Sequence, residues 1–170
     1  LHVRALLPQT IHSKIPAIRE YLHESSQLFI CLSETWLSTK HTEAEKHIAG
    51  YTIFSTDRKL RGNKRGRHSG GVATYIRDDL AAQSHETFRF SNGVIECIAV
   101  YIKSINLVVI NVYRQPDDPL GKHKSTSTEL MPFITALNSY LDSISAPPPD
   151  IILCGDLNLP HADWSTGLCR

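Results

Sequence analysis

The sequence contains little cysteine, a single methionine and no long hydrophobic run, and each shortage excludes a class of protein. Its longest apolar run, residues 97–102, is far too short to cross a bilayer, and its amino terminus lacks the charged-then-apolar order of a signal peptide. The four cysteines include no CxxC pair, and Cys31, Cys97 and Cys154 lie in apolar, strand-like runs. We therefore expect no membrane insertion and no secretion, but buried thiols in a reducing compartment, either the nucleus or the cytoplasm.

Several common catalytic signatures are also missing. The nine histidines include no pair with zinc-site spacing, and His41 and His47 are typical of a solvated loop. The GxSxG, GxxxxGKS/T and GxGxxG motifs do not occur, so acyl transfer and nucleotide-loop chemistry lack their usual markers. What remains is a chain of 170 residues, 41% hydrophobic and 21% charged, which is the balance of one globular domain.

The two ends of the chain suggest an incomplete protein. The chain begins with Leu1, and its only methionine is Met131, inside a predicted helix. At the other end, residues 164–170 form a polar tail with no recognisable element. Because a gene product normally begins with methionine, we expect this sequence to be a piece of a longer protein.

Apolar periodicity predicts a mixed α/β chain arranged in layers. Two stretches have apolar residues at helical spacing, 11–22 and 126–141, and the second opens with the capping-box pair Thr126 and Glu129. Residues 103–106 separate two runs rich in Val, Ile and Tyr, a length suited to an antiparallel hairpin. No repeat or interdomain linker interrupts the pattern, so the chain 1–170 is predicted to form one domain. The predicted strands comprise residues 1–6, 28–32, 51–55, 71–76, 95–102, 107–113 and 151–154.

Positive charge is concentrated in one loop, which we call the basic loop. Gly62, Asn63 and Gly66 break up the charges, and the whole stretch has the composition of a mobile loop. Such a loop attracts phosphate backbones without reading sequence, although a solvated loop or a nuclear-import signal would have the same composition. Its cations, predicted to bind nucleic acid, are Arg58, Lys59, Arg61, Lys64, Arg65 and Arg67.

The last predicted strand runs directly into two polar residues. Residues 151–154 are apolar, Gly155 permits a tight turn, and Asp156 and Asn158 follow. Residues two apart point the same way in extended backbone, so both side chains can converge on one water, metal ion or phosphate. The alternative is a loop in which both side chains merely bond their own backbone.

Two other predicted strands also end in polar residues, Glu34 in one case and Tyr113 with Arg114 in the other. Strand ends gathered at one sheet edge make a site. Glu34 and Asp156 would supply two hard oxygen ligands, or one ligand and one base. Tyr113 and Arg114 can donate to an anion, and Arg114 is predicted to bind nucleic acid. This set suits attack of water on a phosphodiester assisted by Mg²⁺, with Mn²⁺ as the alternative ion, because magnesium takes only one or two carboxylates.

Two further features allow either a functional or a plain interpretation. Ser69, Gly70 and Gly71 fit an anion-binding nest, but the plainer interpretation is entry into a strand. Trp36 and Trp164 each follow an acidic motif, and packing beneath a loop is favoured over base stacking for both.

Four motifs, taken together, carry a family resemblance. They are SETWL at 33–37, GGVATYIR at 70–77, NVYRQP at 111–116 and GDLNLPHADW at 155–164. GDxN alone is a weak signal, but its combination with an upstream ETW and an intervening VYR is specific. In this order the motifs span nearly the entire chain and resemble the endonuclease/exonuclease/phosphatase family, specifically the endonuclease domain of non-LTR retrotransposons.

The resemblance implies a four-layer α/β sandwich, two mixed sheets flanked by helices, that nicks DNA with Mg²⁺ and leaves a 3′-hydroxyl to prime reverse transcription. Glu34 matches the metal-binding glutamate, and Asp156 matches the aspartate that orients or deprotonates the attacking water beside the metal ion. Asn158 matches the asparagine that assists it, and Tyr113 the tyrosine that approaches the scissile phosphate. DNA is then the partner, and a reverse transcriptase domain is expected in the parent polyprotein.

The sequence departs from this family in two places. His2 stands where the family has an asparagine, and one imidazole tautomer cannot both donate and accept as an amide can. The family's closing Ser-Asp-His segment, whose histidine contacts the phosphate, has no counterpart, and His161 and Asp163 do not replace it. We therefore expect a domain that is incomplete at its carboxyl end and poorly active or inactive alone.

Two other functions fit the same residues. One is a catalytically inactive remnant that keeps the fold and binds nucleic acid through the basic loop. The other is a phosphatase of the same fold that acts on lipid or nucleotide phosphates.

Overall fold

The computed structural model describes residues 11–37, 41–56, 70–82, 86–116, 127–144, 147–159, 162–163 and 168–169. The basic loop, the strand predicted at 1–6 and the capping residue Thr126 lie outside these ranges. The helices in them are α1 (Ile11–Ser25), α2 (Glu43–Lys46), α3 (Asp78–Ala81) and α4 (Ser127–Ser143). The strands are β1 (Phe29–Ser33), β2 (Tyr51–Thr56), β3 (Val72–Arg77), β4 (Glu86–Ser91), β5 (Ile95–Ile102), β6 (Leu107–Arg114), β7 (Asp150–Asp156), β8 (Ala162–Asp163) and β9 (Leu168–Cys169).

The first sheet contains three strands in the order β1, β3, β2, and both of its described pairs are antiparallel. One face of this sheet is covered by α1. The helix buries Ile15, Ile18 and Leu22, which recur at helical spacing, against Ala73 and Tyr75 of β3. The helix predicted at 11–22 and the strands at 28–32, 51–55 and 71–76 are therefore confirmed, with ends shifted by up to three residues.

The second sheet contains four strands in the order β4, β5, β6, β7. β5 and β6 form the predicted antiparallel hairpin, joined by a turn of 3-10 helix, and β6 and β7 are parallel. The parallel pair requires a crossover connection, and α4 lies in that connection. α4 packs on the outer face, where Phe133 and Tyr140 contact Phe90 and Phe88 of β4 at ring-centroid distances of 5.4 Å each.

The inner faces of the two sheets pack together and enclose the main core. Alternate residues of each strand point inward, so Cys31, Val72 and Ile76 of the first sheet meet Ile98 and Val109 of the second. The order of layers is helix, sheet, sheet, helix, which confirms the predicted four-layer α/β sandwich. None of the described helices is long and apolar enough to cross a membrane.

Four short features were not anticipated from the sequence. The one-turn helix α2 is capped by Thr42, whose side chain accepts from the Glu45 amide while the Glu45 carboxylate accepts from Thr42. The one-turn helix α3, the strand β4 and the two-residue pair of β8 with β9 were also missed. These elements contribute few buried residues of their own, so their apolar patterns are weak.

Candidate active site

Three strand ends meet at one edge of the sandwich. β6 and β7 are parallel, and their register pairs Tyr113 directly with Asp156. Tyr113 is buried between the sheets, and its hydroxyl donates a hydrogen bond to Oε1 of Glu34, which follows β1 in the other sheet. The Glu34 carboxylate is therefore bonded to Tyr113, and Asp156 is the neighbour of Tyr113 in the strand register. The structure thus gathers these three predicted site residues as the sequence suggested.

The backbone that carries Glu34 is strained. Glu34 and Trp36 adopt positive φ angles of 53° and 54°, a left-handed region that such side chains rarely enter. The carbonyls of Gly71 and Gly70 hold this segment, since they accept hydrogen bonds from the Thr35 and Trp36 amides at 3.2 Å and 2.9 Å. Backbone in such sparsely populated regions persists where the surroundings over-determine it, and it is often found at functional sites.

These bonds also clarify the two glycines that precede β3. Gly70 and Gly71 have positive φ angles of 95° and 83° and direct their carbonyls at the Glu34 segment. They therefore enter the strand, as the plainer interpretation held, and they brace the carboxylate loop as well. The side chain of Trp36 is partly buried, and its indole Nε1 has no hydrogen-bond partner among the described residues.

The turn after β7 presents Asp156 by means of a close backbone approach. Gly155 has a φ of 131°, and a side chain there would overlap the backbone of Val112 on the adjacent strand. Oδ1 of Asp156 accepts a hydrogen bond of 3.2 Å from the Asn158 amide. From the sequence, Asp156 and Asn158 could form either a locally bonded turn or part of a site. The structure contains the local bond, and it lies at the end of the strand that places Asp156 beside Tyr113, the hydrogen-bond partner of Glu34.

Arg114 lies next to Tyr113 but faces the opposite side of the sheet. Its neighbours in alternation, Val112 and Ile110, pack toward α4, and only 4% of Arg114 is exposed. The guanidinium donates a hydrogen bond of 2.8 Å to the carbonyl of Asn158. Arg114 therefore contacts the turn after β7, and its predicted contact with nucleic acid stays a prediction.

Two buried polar residues near the site were missed in the sequence. Glu96 on β5 is fully buried and lies directly opposite Tyr113 in the antiparallel register. Asn111 on β6 is also fully buried, and its Nδ2 donates to the carbonyls of Leu32 and Ala73 at 3.2 Å and 3.0 Å. An acidic and an amide residue inside otherwise apolar strands were the available signal, because such groups are seldom buried without a partner.

The donor groups fit a hard divalent cation. Within the described residues no cluster of three His, Cys, Asp or Glu side chains could hold a metal ion. Magnesium does not need such a cluster, because it binds one or two carboxylates and keeps several waters. Glu34 and Asp156, both beside Tyr113, offer that donor set.

Three free thiols are buried in the core, and the hydrogen bond with Cys31 lowers the pKa of Cys154. Cys31 and Cys154 meet between the sheets, and the hydrogen bond between them, together with burial, raises the pKa of the Cys31 thiol. Burial also raises the pKa of Cys97. The three cysteines are free thiols in the core, as predicted.

Not every predicted residue can be placed. His2, His161 and the cations of the basic loop lie outside the described residues. Asp163 belongs to the short strand β8, and no part of the site described above rests on it.

Comparisons with known proteins agree on the fold. Solved structures match over most of this chain, among them an AP endonuclease from Archaeoglobus fulgidus, at 20% identity with a TM-score of 0.56. A 3′-5′ exonuclease from Neisseria meningitidis matches at 17% identity with a TM-score of 0.63. Each match covers 91% of this chain and 56% of the other, so the chain spans little more than half the length of these structures.

A third match is a 3′ phosphatase from Neisseria bound to a product DNA hairpin, at 16% identity with a TM-score of 0.62, covering 91% of this chain and 56% of the other. No curated protein sequence matches the chain. The sequence profile described as the endonuclease/exonuclease/phosphatase family matches residues 11–169, nearly the whole chain. The four-layer fold, the strand-end carboxylates and this match together show that the chain belongs to the endonuclease/exonuclease/phosphatase family.

Proposed function

We propose that this chain is part of a Mg²⁺-dependent endonuclease that nicks DNA for target-primed reverse transcription, as in non-LTR retrotransposons. The observation that carries the proposal is the hydrogen bond from Tyr113 to Glu34 beside the paired residue Asp156. The bond joins a phenol to one carboxylate, and the register places the residue that carries the second carboxylate beside them, which are the groups that metal-assisted phosphodiester hydrolysis needs.

Each residue then has a distinct task. Glu34 and Asp156 would hold the cation, which when bound supplies electrostatic stabilisation of the charge that develops on the phosphate. Asp156 also orients or deprotonates the attacking water, and its orientation is fixed by the bond from the Asn158 amide. Tyr113 holds the Glu34 carboxylate and would approach the scissile phosphate, and Asn158 assists at the turn after β7.

DNA is the proposed substrate. The Neisseria 3′ phosphatase that resembles this fold was solved with a DNA hairpin, which supports a nucleic-acid substrate for this chain. The basic loop precedes Gly70 and Gly71, whose carbonyls brace the Glu34 segment. Its cations would contact the phosphate backbone without reading sequence. Such an enzyme would work in the nucleus or cytoplasm.

A further segment of the parent protein is proposed to complete the sandwich and supply the family's Ser-Asp-His residues. β7 is the edge strand of the second sheet among the described strands, and Ile151 and Leu153 on it are 51% and 56% exposed. The unpaired backbone of an edge strand favours pairing with another strand, and exposed apolar side chains favour being covered. A reverse transcriptase domain would belong to the same parent protein.

The proposal is tested by nicking of supercoiled plasmid with Mg²⁺ and with excess chelator. The chain is compared with Glu34→Gln and Asp156→Asn, which keep the side-chain shape and remove the charge. Glu24→Gln and Asp142→Asn make the same changes at exposed helix positions and serve as matched controls. If the 170 residues alone are inactive, the same variants are measured in the parent-length protein.

The expected result is nicking that requires Mg²⁺, survives both control changes, and falls by about 100-fold or more in each site variant. Equal nicking by the site variants and the wild type would contradict the proposal. An inert but folded parent-length protein that binds DNA irrespective of Mg²⁺ would favour the inactive remnant. Release of phosphate from a 3′-phosphorylated oligonucleotide, without nicking, would favour the phosphatase, the activity named for one of the structural matches.

A further inference from the structure

The side chain of Arg114 is buried beneath the candidate site, on the face of the second sheet that α4 covers. β6 alternates, so Tyr113 faces the other sheet while Arg114 faces α4. Burial of a guanidinium is costly unless its donors are bonded, and only 4% of Arg114 is exposed. Its position is therefore determined by contacts within the protein.

Arg114 and Asn158 bond each other reciprocally. The Arg114 guanidinium donates 2.8 Å to the Asn158 carbonyl, and the Asn158 carboxamide donates 2.8 Å back to the Arg114 carbonyl. A longer contact of 3.5 Å joins the same guanidinium nitrogen to the Leu157 carbonyl. Two strand ends that are parallel neighbours, β6 and β7, are thus tied together just beyond the last register pair.

This tie holds the turn in a conformation that the chain would not otherwise favour. Asn158 has a φ of 45°, in the left-handed region, which asparagine tolerates better than most residues but which still needs support. The same residue uses its amide to fix Oδ1 of Asp156. Loss of the guanidinium bond would leave Asn158 held to β6 by its carboxamide alone, and the bond that orients Asp156 would be weakened with it.

We propose that Arg114 is a positioning residue that locks the Asp156–Asn158 turn, and not a residue that contacts nucleic acid. The inference rests on the proposed function, because the turn it locks is the one assigned to the attacking water. A guanidinium suits this buried position better than an ammonium group, because it is more weakly hydrated and keeps its charge when buried.

The test compares Arg114→Lys and Arg114→Met with Arg19→Met. Arg19 makes a matched control, since its guanidinium also bonds a backbone carbonyl, that of His47, but on the exposed face of α1. Three quantities are measured for each variant: amide hydrogen exchange at residues 156–159, binding of a DNA duplex as a function of salt, and the rate of Mg²⁺-dependent nicking.

In Arg114→Met, exchange at residues 156–159 is expected to accelerate about tenfold, as for loss of a charge-assisted hydrogen bond. Nicking is expected to fall about 10- to 100-fold through kcat, because a displaced catalytic group loses rate without losing binding. DNA affinity and its salt dependence stay unchanged. Arg114→Lys restores part of the protection and rate, and Arg19→Met leaves all three quantities unchanged.

A different pattern would overturn the inference. If Arg114→Met leaves the exchange unchanged but weakens DNA binding and lowers the salt slope by about 1, Arg114 is a phosphate contact. The inference can also be tested separately from the proposed function. If the wild-type chain does not nick DNA, amide exchange at residues 156–159 still shows whether Arg114 holds the turn. If Arg114→Met does not fold, Arg114→Lys is used alone, and unchanged exchange in that variant also refutes the lock.

Discussion

The Tyr113 hydroxyl donates a hydrogen bond to the Glu34 carboxylate, although 79 residues separate the two in the chain. Tyr113 lies near the end of β6 in the second sheet, and Glu34 follows β1 in the first. The bond therefore spans the interface between the sheets, at the edge where Asp156 ends β7. Each half of the site belongs to a different sheet, so the carboxylates come together only when the two sheets dock.

Replacing Tyr113 with phenylalanine removes this bond and keeps the buried ring. We expect nicking to fall by about 100-fold or more, because the variant loses the hydroxyl that holds the Glu34 carboxylate and that is proposed to approach the scissile phosphate. The free energy of unfolding should fall by only about 1 kcal/mol, the net value of one hydrogen bond. Plasmid nicking and chemical denaturation measure the two effects.

Tyr101→Phe is the matched control, since Tyr101 lies on β5 and its hydroxyl bonds Asn106 at 2.9 Å, remote from the site. It should lose a similar stability and keep the nicking rate. A Tyr113→Phe protein that nicks as fast as Tyr101→Phe would exclude a catalytic role for the phenol.

Gly155 should not tolerate a side chain. A Cβ atom there would overlap the Val112 carbonyl on β6, and the φ of 131° is unfavourable for alanine. Gly155→Ala is expected to lower the free energy of unfolding by more than about 3 kcal/mol. Urea denaturation followed by circular dichroism measures the loss.

Gly50→Ala separates the overlap from the backbone strain. Gly50 also has a positive φ, 80°, but no atom lies within 4 Å of the position its Cβ would take. This variant should lose only about 1 to 2 kcal/mol, the cost of a left-handed alanine. Equal losses in the two variants would mean that the close approach to Val112 contributes nothing.

Asn111 is predicted to hold the sheets together. It is fully buried, and Asn111→Leu removes the donors to the Leu32 and Ala73 carbonyls while keeping a similar volume. We expect a loss of about 1 to 3 kcal/mol of unfolding free energy. Asn138→Leu, at an exposed position on α4, should change stability by less than about 0.5 kcal/mol. An Asn111→Leu protein as stable as the wild type would refute the role.

The basic loop is predicted to set DNA affinity. Changing Arg61, Lys64, Arg65 and Arg67 to glutamine should weaken duplex binding and reduce the slope of log affinity against log salt by about 0.9 for each phosphate that the protein no longer neutralises. Lys14 and Lys103, which lie outside the loop, provide control positions for glutamine substitution. An unchanged slope in the loop variant would show that the DNA is bound elsewhere on the protein.

Much of this fold could be predicted from local pattern. The β5–β6 hairpin follows from two β-branched runs with a short connection, and α4 follows from apolar residues at helical spacing. The strand into Asp156 was recognisable because its apolar residues end at a glycine. Each of these patterns depends only on residues close together in the chain, so it can be recognised without knowing the fold.

The pairing of elements could not be predicted in the same way. Phe88 and Phe90 of β4 alternate with polar residues, but two aromatic residues are too few to predict a strand from the sequence. Their burial depends on Tyr140 and Phe133 of α4, which are distant in the chain. Arg114 was predicted to donate to an anion at the end of a strand, and nothing in the sequence indicated that its side chain is buried. Its burial depends on the Asn158 carbonyl, which is 44 residues away in the chain.

The central claim is that Glu34 and Asp156 share one cation. It is tested most directly by titrating Mn²⁺ into isotopically labelled protein and following paramagnetic broadening of amide resonances, which does not depend on activity. We predict saturable broadening at residues 33–35 and 155–158 together, reversed by excess Mg²⁺ and abolished at both segments by Glu34→Gln. Broadening that is confined to one segment, or that persists in Glu34→Gln, would contradict the shared metal site.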